Sequence, residues 1–80
     1  MKNVTGEAID TATSFVRKMY PDALFPEPES DVIVERVDHD RFHVTGGMQY
    51  KDKSGKPQTK KLRIEVYRDV YGRWFSVGML

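Results

Sequence analysis

The sequence contains no cysteine, which excludes disulfide bridges and zinc sites built on thiolates. Its longest aliphatic run, Val32-Ile33-Val34, is far shorter than the about 20 residues that a membrane-spanning helix needs. The first seven residues lack the apolar segment typical of a signal peptide. These absences predict a reducing compartment such as the cytoplasm and no membrane partner. The length of 80 residues predicts a single domain, residues 1–80.

The net charge is only +1, but the charges are unevenly distributed along the chain. Residues 1–40 hold four Lys or Arg against nine Asp or Glu, and residues 41–80 hold nine against three. A domain of this size buries only about 60% of its unfolded surface, so its core is small. Association into a homodimer is one way to add buried area.

Apolar residues recur at helical spacing between residues 5 and 20, which predicts an amphipathic helix there. Thr5 is a candidate N-cap, and Pro21 cannot continue the helix. Residues 21–30 contain three prolines and no periodicity, which indicates an extended connector. Leu24 and Phe25 are expected to attach it to the core.

Between residues 31 and 79 the apolar period changes to two, which predicts four strands. The strands centre on Val32–Val37, on 42–50, on Leu62, Ile64 and Val66, and on 73–79. The connections are too short for parallel crossovers, so we predict an antiparallel meander covered on one face by the helix, an α+β fold. In the last strand we expect Phe75 to point inward and Trp74 outward, although a one-residue slip exchanges them.

Several short segments resemble small cystatin-like domains of bacterial and phage proteins, which have one helix and four strands. These segments are Phe15-Val16-Arg17-Lys18-Met19, Ala23-Leu24-Phe25-Pro26, Phe42-His43-Val44-Thr45-Gly46 and Gly72-Arg73-Trp74-Phe75-Ser76-Val77. The resemblance covers most of residues 12–80 and implies a fold rather than a function. By size, charge segregation and lack of a catalytic motif, the chain also resembles phage-encoded inhibitors of host defence such as anti-CRISPR proteins.

The residues offer little for catalysis or for binding a metal or cofactor. Asp38-His39-Asp40 is typical of a solvated turn, because side chains of consecutive residues rarely converge on one metal ion. His43 has the chemistry of a general base, but no motif supplies a nucleophile. Gly46-Gly47 lies within a predicted strand. At that place a bulge or the close approach of another backbone segment is a better explanation for two glycines than a phosphate-binding loop. We therefore expect no enzymatic activity and no cofactor. Binding of a small molecule in a concave pocket is a third interpretation, but one helix on four strands leaves little concavity for it.

The uncovered face of the sheet is the leading candidate for a binding surface. Trp, Tyr and Arg dominate the energetics of protein interfaces, and the predicted exposed set contains all three. Its members are Arg41, His43, Lys61, Arg63, Tyr67, Arg73 and Trp74. For Trp74, ordinary packing across the sheet is the competing interpretation.

Two charged segments flank this face and leave two functions open. The acidic tract, which we define as Glu29, Asp31, Glu35, Asp38 and Asp40, is able to imitate nucleic-acid phosphates. The basic hairpin, defined as Lys51, Lys53, Lys56 and Lys60, is able to contact phosphates directly. We predict a non-enzymatic inhibitor or adaptor from a phage or mobile element, acting in the host cytoplasm on a host defence protein or nucleoprotein. The alternative is a nucleic-acid-binding module whose exposed aromatics stack bases.

Overall fold

The computed structural model describes residues 3–28 and 31–80, which form one helix and four strands. The elements are α1 (Val4–Met19), β1 (Ile33–Arg36), β2 (Arg41–Lys51), β3 (Pro57–Arg68) and β4 (Trp74–Met79). The strands form one sheet in the order β1-β2-β3-β4, with every neighbouring pair antiparallel. The predicted α+β meander is therefore confirmed. Within the described residues, α1 lacks the length and hydrophobicity needed to cross a bilayer.

The N-cap of the helix lies two residues before the predicted one. Asn3 is the N-cap, because its side-chain oxygen accepts a hydrogen bond from the Gly6 amide at 2.8 Å. The prediction that Thr5 caps the helix is wrong, since Thr5 lies inside the first turn. At the other end, the helix stops at Met19 and Tyr20 closes it by donating its amide to the Val16 carbonyl.

The core lies between α1 and one face of the sheet. Ala8, Ala12 and Val16 form the buried stripe of the helix. The strands contribute alternate residues from β2 and β3, which face the helix: Phe42, Val44, Met48, Leu62, Ile64 and Val66. This alternation is the predicted one, and it leaves the odd-numbered residues of β2 and β3 on the opposite face.

The connector is held to β2 by both backbone and side-chain contacts. Leu24 and Gln49 exchange two backbone hydrogen bonds, of 2.8 and 2.9 Å. The Phe25 ring is buried over Gly46, where an added Cβ would lie 3.3 Å from two of its ring carbons. The expectations that Phe25 attaches the connector to the core and that Gly46 permits close approach are confirmed. Leu24 attaches the connector to β2 through its backbone only, and its side chain is 46% exposed.

The β2–β3 and β3–β4 hairpins use the same turn, Asp-x-x-Gly. In the first, Asp52 Oδ1 accepts hydrogen bonds from the amides of Ser54 and Lys56, and Gly55 has φ +84°. In the second, Asp69 Oδ1 accepts hydrogen bonds from the amides of Tyr71 and Arg73, and Gly72 has φ +80°. The positive φ is the reason for glycine at the fourth position, because a Cβ disfavours that conformation.

The strands β2 and β3 extend beyond their apolar segments. The pairing continues through Lys51 opposite Pro57, since backbone hydrogen bonds do not require apolar side chains. Between β3 and β4, a bulge between Glu65 and Val66 shifts the register. Val66 pairs with Ser76 and Glu65 with Gly78, so Val77 is the extra residue.

Candidate functional site

The face of the sheet opposite α1 carries the candidate site, and we call it the open face. Residues that are partners across neighbouring strands share a face, so the register identifies its members. They include Ile33, Glu35, Arg41, His43, Thr45, Lys61, Arg63, Glu65, Tyr67 and Phe75. All the buried strand residues of the core lie on the other face.

A histidine–glutamate pair occupies the centre of the open face. His43 and Glu65 are direct cross-strand partners, and their side chains meet at 3.0 Å between Nε2 and Oε1. Their side chains are only 14% and 17% exposed, although they face away from the helix. On the same face, Arg63 of β3 reaches across β2 to Glu35 of β1, with 3.6 Å between Nη2 and Oε1.

This arrangement does not present the imidazole to a substrate. A carboxylate oxygen accepts the hydrogen bond, so Nε2 of His43 carries the proton that binds Glu65. The other ring nitrogen, Nδ1, is buried and has no hydrogen-bond partner. Since one nitrogen is engaged and the other is covered, the pair fits a structural cross-strand contact better than a general base.

An apolar patch lies on the β4 side of the open face. The rings of Tyr67 and Phe75 stack with 5.9 Å between centroids, and Arg41 is the cross-strand neighbour of Tyr67. Phe75 remains 46% exposed. A second exposed apolar residue, Ile33, lies on β1. The face therefore combines aromatic surface with the arginines that interfaces favour.

Five residues of the predicted open-face set lie there: Arg41, His43, Lys61, Arg63 and Tyr67. Arg73 lies instead in the β3–β4 turn. Its Nε donates to Asp69 Oδ2 at 2.8 Å, and its guanidinium lies 5.2 Å from the centre of the Tyr71 ring. The pKa of Asp69 is lowered: partial desolvation opposes the shift, and hydrogen bonds from Arg73 and Tyr71 outweigh it.

The placement of Trp74 on the open face is wrong. Its Nε1 donates to Oε2 of Glu7 on the helix at 2.7 Å, and its ring contacts Phe42 with 5.4 Å between centroids. The β3–β4 turn pairs Arg68 with Trp74 and thereby puts both on the helix face. A shift of one residue reverses every side chain of a strand, which explains why Phe75 takes the exposed position instead.

The acidic tract follows β1 and the β1–β2 turn. Asp31, Glu35 and Asp38 are exposed and Asp40 is half-buried, whereas Glu29 lies outside the described residues. Arg36 is directed into the turn, where it donates to the carbonyl of His39 at 2.8 Å. Asp38 accepts the amide of His39 at 2.7 Å, as expected for a solvated turn. Among residues 3–28 and 31–80, no group of His, Asp and Glu side chains has the arrangement of a metal site.

The basic hairpin projects at the far end of β2 and β3. Lys51, Lys53, Lys56 and Lys60 are all exposed. Asp52 holds the turn together, and hydrogen bonds from the Ser54 side chain and the Lys56 amide lower its pKa from 3.8 to about 2. Because a strand rises about 3.3 Å per residue, Lys60 lies roughly 20 Å along β3 from the patch at Tyr67.

The fold contains more concavity than expected. An open groove of about 1000 Å³ lies between the end of α1, the connector and the basic hairpin. Its apolar lining includes Tyr20, Leu24, Met48 and Tyr50, and Lys60 lies among its polar residues. Small-molecule binding in this groove is testable by thermal-shift screening.

Sequence reasoning missed the exposed positions of Phe75 and Ile33. Both are apolar and were assigned inward or left unassigned. The signal that identifies Phe75 is the repeated Asp-x-x-Gly pattern: applying the geometry of the first turn to Asp69 and Gly72 makes Tyr67 and Phe75 partners. Comparison with protein-family models, with curated proteins and with solved structures finds no match to this chain.

Proposed function

We propose that this chain is a non-enzymatic protein-binding domain that contacts its partner through the open face. The observation that carries the proposal is the Tyr67–Phe75 stack, in which Phe75 is exposed and Tyr67 half-buried, with Arg41 beside it. Aromatic residues and arginine contribute large contact areas and are enriched at the centres of interfaces. An ordinary solvated face carries alternating polar residues and does not expose a stacked aromatic pair.

We further propose that the partner is a host defence protein or nucleoprotein, and that the domain is an inhibitor or adaptor of the kind encoded by phages and mobile elements. Support comes from the exposed carboxylates of the acidic tract, which border the open face along β1. A face with carboxylates at its β1 side and an aromatic patch at its β4 side suits a protein surface that normally contacts phosphates. The resemblance of the sequence to anti-CRISPR-like inhibitors, in size, charge segregation and lack of a catalytic motif, agrees with this assignment.

The alternative is a nucleic-acid-binding module, which the exposed lysines of the basic hairpin favour. The position of Trp74 weakens this alternative, since its ring packs on Phe42 and is not presented for base stacking. The other aromatic stack, Tyr67–Phe75, lies roughly 20 Å from Lys60 along β3. A single nucleic-acid strand would therefore have to span that distance to contact both.

Comparative capture from a host lysate tests the proposal. We would immobilise the unmodified chain, Phe75→Ala and the matched control Tyr71→Ala, which also removes an exposed aromatic ring but lies in the β3–β4 turn. The expected result is a protein captured by the unmodified chain and by Tyr71→Ala, and lost from Phe75→Ala. Thermal melts establish that both variants are folded. Capture that survives Phe75→Ala contradicts the assignment of the open face.

Light scattering after size exclusion, with a short mixed-sequence duplex at low and moderate salt, tests the alternative. Direct phosphate binding gives a complex that dissociates as salt rises and that charge reversal at Lys60 and Lys61 abolishes. A nucleic-acid complex of this kind, together with no protein captured, would replace the proposed function by the alternative.

A further inference from the structure

In the part of the chain that the structure describes, the sheet exposes three edge segments, and two of them carry residues that normally prevent strand pairing. β1 has four residues and includes Glu35 and Arg36. Beyond the end of β4, the free stretch of β3 begins at Pro57 and includes Lys60 and Lys61. Short length, charge and proline are the usual means of keeping sheet edges from associating.

The third segment, the outer edge of β4, lacks both charge and proline. Its six residues read Trp-Phe-Ser-Val-Gly-Met. Val77 is 58% exposed, and Phe75 and Met79 are also exposed. Among residues 3–28 and 31–80, β4 is the outer strand of the sheet and is paired along one edge only. An apolar, uncharged outer strand is the feature that leads sheets to pair edge to edge.

We propose that β4 pairs with β4 of a second copy, antiparallel about a two-fold axis, to give one continuous eight-stranded sheet. The edge is self-complementary, because neither copy brings a charge that the other must neutralise. Pairing also adds buried apolar surface to a domain whose own core is small.

The bulge at Val77 sets the expected strength of the contact. Regular pairing with β3 is longest from Trp74 to Ser76, before the bulge. Because a bulge bends and twists its strand, it also shortens the regular part of the outer edge that is available to a second copy. We therefore expect a weak dimer whose population follows protein concentration. This inference does not depend on the proposed partner, because the dimer forms from the purified chain alone.

Sedimentation over protein concentrations of about 10 µM to 1 mM tests the proposal. The mass should rise from 9.3 kDa towards twice that value. Val77→Lys places like charges near the two-fold axis and should weaken association by about tenfold or more. The matched control Val70→Lys makes the same change at a residue that is 93% exposed in the turn, and it should leave association unchanged. Equal effects of the two variants, or a monomer throughout, would overturn the proposal.

Single-cysteine cross-linking gives a second readout that does not depend on stability. The chain contains no cysteine, so Ser76→Cys and the control Ser14→Cys each introduce one thiol. Across a β4–β4 pairing, Cys at position 76 approaches its copy closely enough for a disulfide, and Cys at position 14 on the exposed side of α1 does not. Efficient cross-linking at position 76 alone supports the pairing. Equal cross-linking at both positions, or none at 76 at concentrations that give a dimer mass, contradicts it.

Discussion

The hydrogen bond between Trp74 and Glu7 joins residues 67 positions apart and is open to a direct energetic test. Glu7→Ala removes the acceptor and also a negative charge from the first turn of α1. A hydrogen bond to a charged group contributes about 1.5–3 kcal/mol to the free energy of unfolding. Because the Trp74–Glu7 pair is partly exposed, we take about 1–1.5 kcal/mol for it. The favourable interaction of the charge with the helix dipole adds about 0.5 kcal/mol.

A double-mutant cycle separates the two contributions. Trp74→Phe keeps an aromatic ring beside Phe42 but removes the N–H donor. We expect Glu7→Ala to lower the free energy of unfolding by about 2 kcal/mol in the unmodified chain, and by only about 0.5 kcal/mol in the Trp74→Phe background. The difference, about 1–1.5 kcal/mol, is the coupling between the two side chains.

Urea unfolding followed by far-UV circular dichroism measures all four proteins, because the signal does not depend on the tryptophan. Trp74 is the only tryptophan, so its fluorescence gives an independent readout of its surroundings. Glu7→Gln retains an acceptor and should recover part of the coupling. A coupling energy below about 0.3 kcal/mol, within the error of additivity, would refute the placement of Trp74 beneath the helix.

Three further predictions concern the turns and the connector. Gly55→Ala should lower the free energy of unfolding by about 1 kcal/mol in urea titrations and Gly55→Asn by less, because φ is +84° and nothing lies near the added Cβ. In the folded chain the pKa of Asp52 is about 2, below its ordinary value of 3.8. The ionised carboxylate therefore stabilises the fold above pH 3.8, and this stabilisation is lost as the pH falls towards 2. Asp52→Asn should remove that part of the acid dependence of the free energy of unfolding, measured by urea titrations at several pH values. Gly46→Ala should cost about 1–2 kcal/mol and increase amide exchange at Leu24, since the new Cβ would lie 3.3 Å from the Phe25 ring.

The parts of the fold that follow from periodicity were predictable. The helical spacing of Ala8, Ala12 and Val16 and the alternation through Phe42 and Val44 each identify a buried face directly. Strand length was less predictable: residues 57–61 are polar or charged, yet they pair with β2 along the backbone. Apolar patterns report the part of a strand that is buried, and polar extensions of a hairpin leave no such pattern.

The error at β4 has a different cause. Hydrophobicity favours burial of both Trp74 and Phe75, and alternation permits only one of them. The turn determines which one, because the Asp69 amide donates to the Arg73 carbonyl and the Arg73 amide donates to Asp69 Oδ1. These bonds close the turn so that Trp74 pairs with Arg68. A bulge then reverses the alternation between Ser76 and Met79. Neither feature has a hydrophobic signature, so the face of each β4 residue required the hydrogen-bond pattern.

The proposed dimer and the proposed binding face are linked by the direction of the sheet. Pairing two β4 strands extends the sheet in its own plane, so both copies present their open faces on one broad surface. A partner that is itself two-fold symmetric or repetitive then engages two Tyr67–Phe75 patches at once, and linked binding of this kind strengthens retention by about a hundredfold or more. Val77→Lys should therefore release such a partner while leaving a partner with a single binding surface unaffected. Since Phe75→Ala should release both kinds of partner, comparing the two variants reports the symmetry of the partner as well as the face that it contacts.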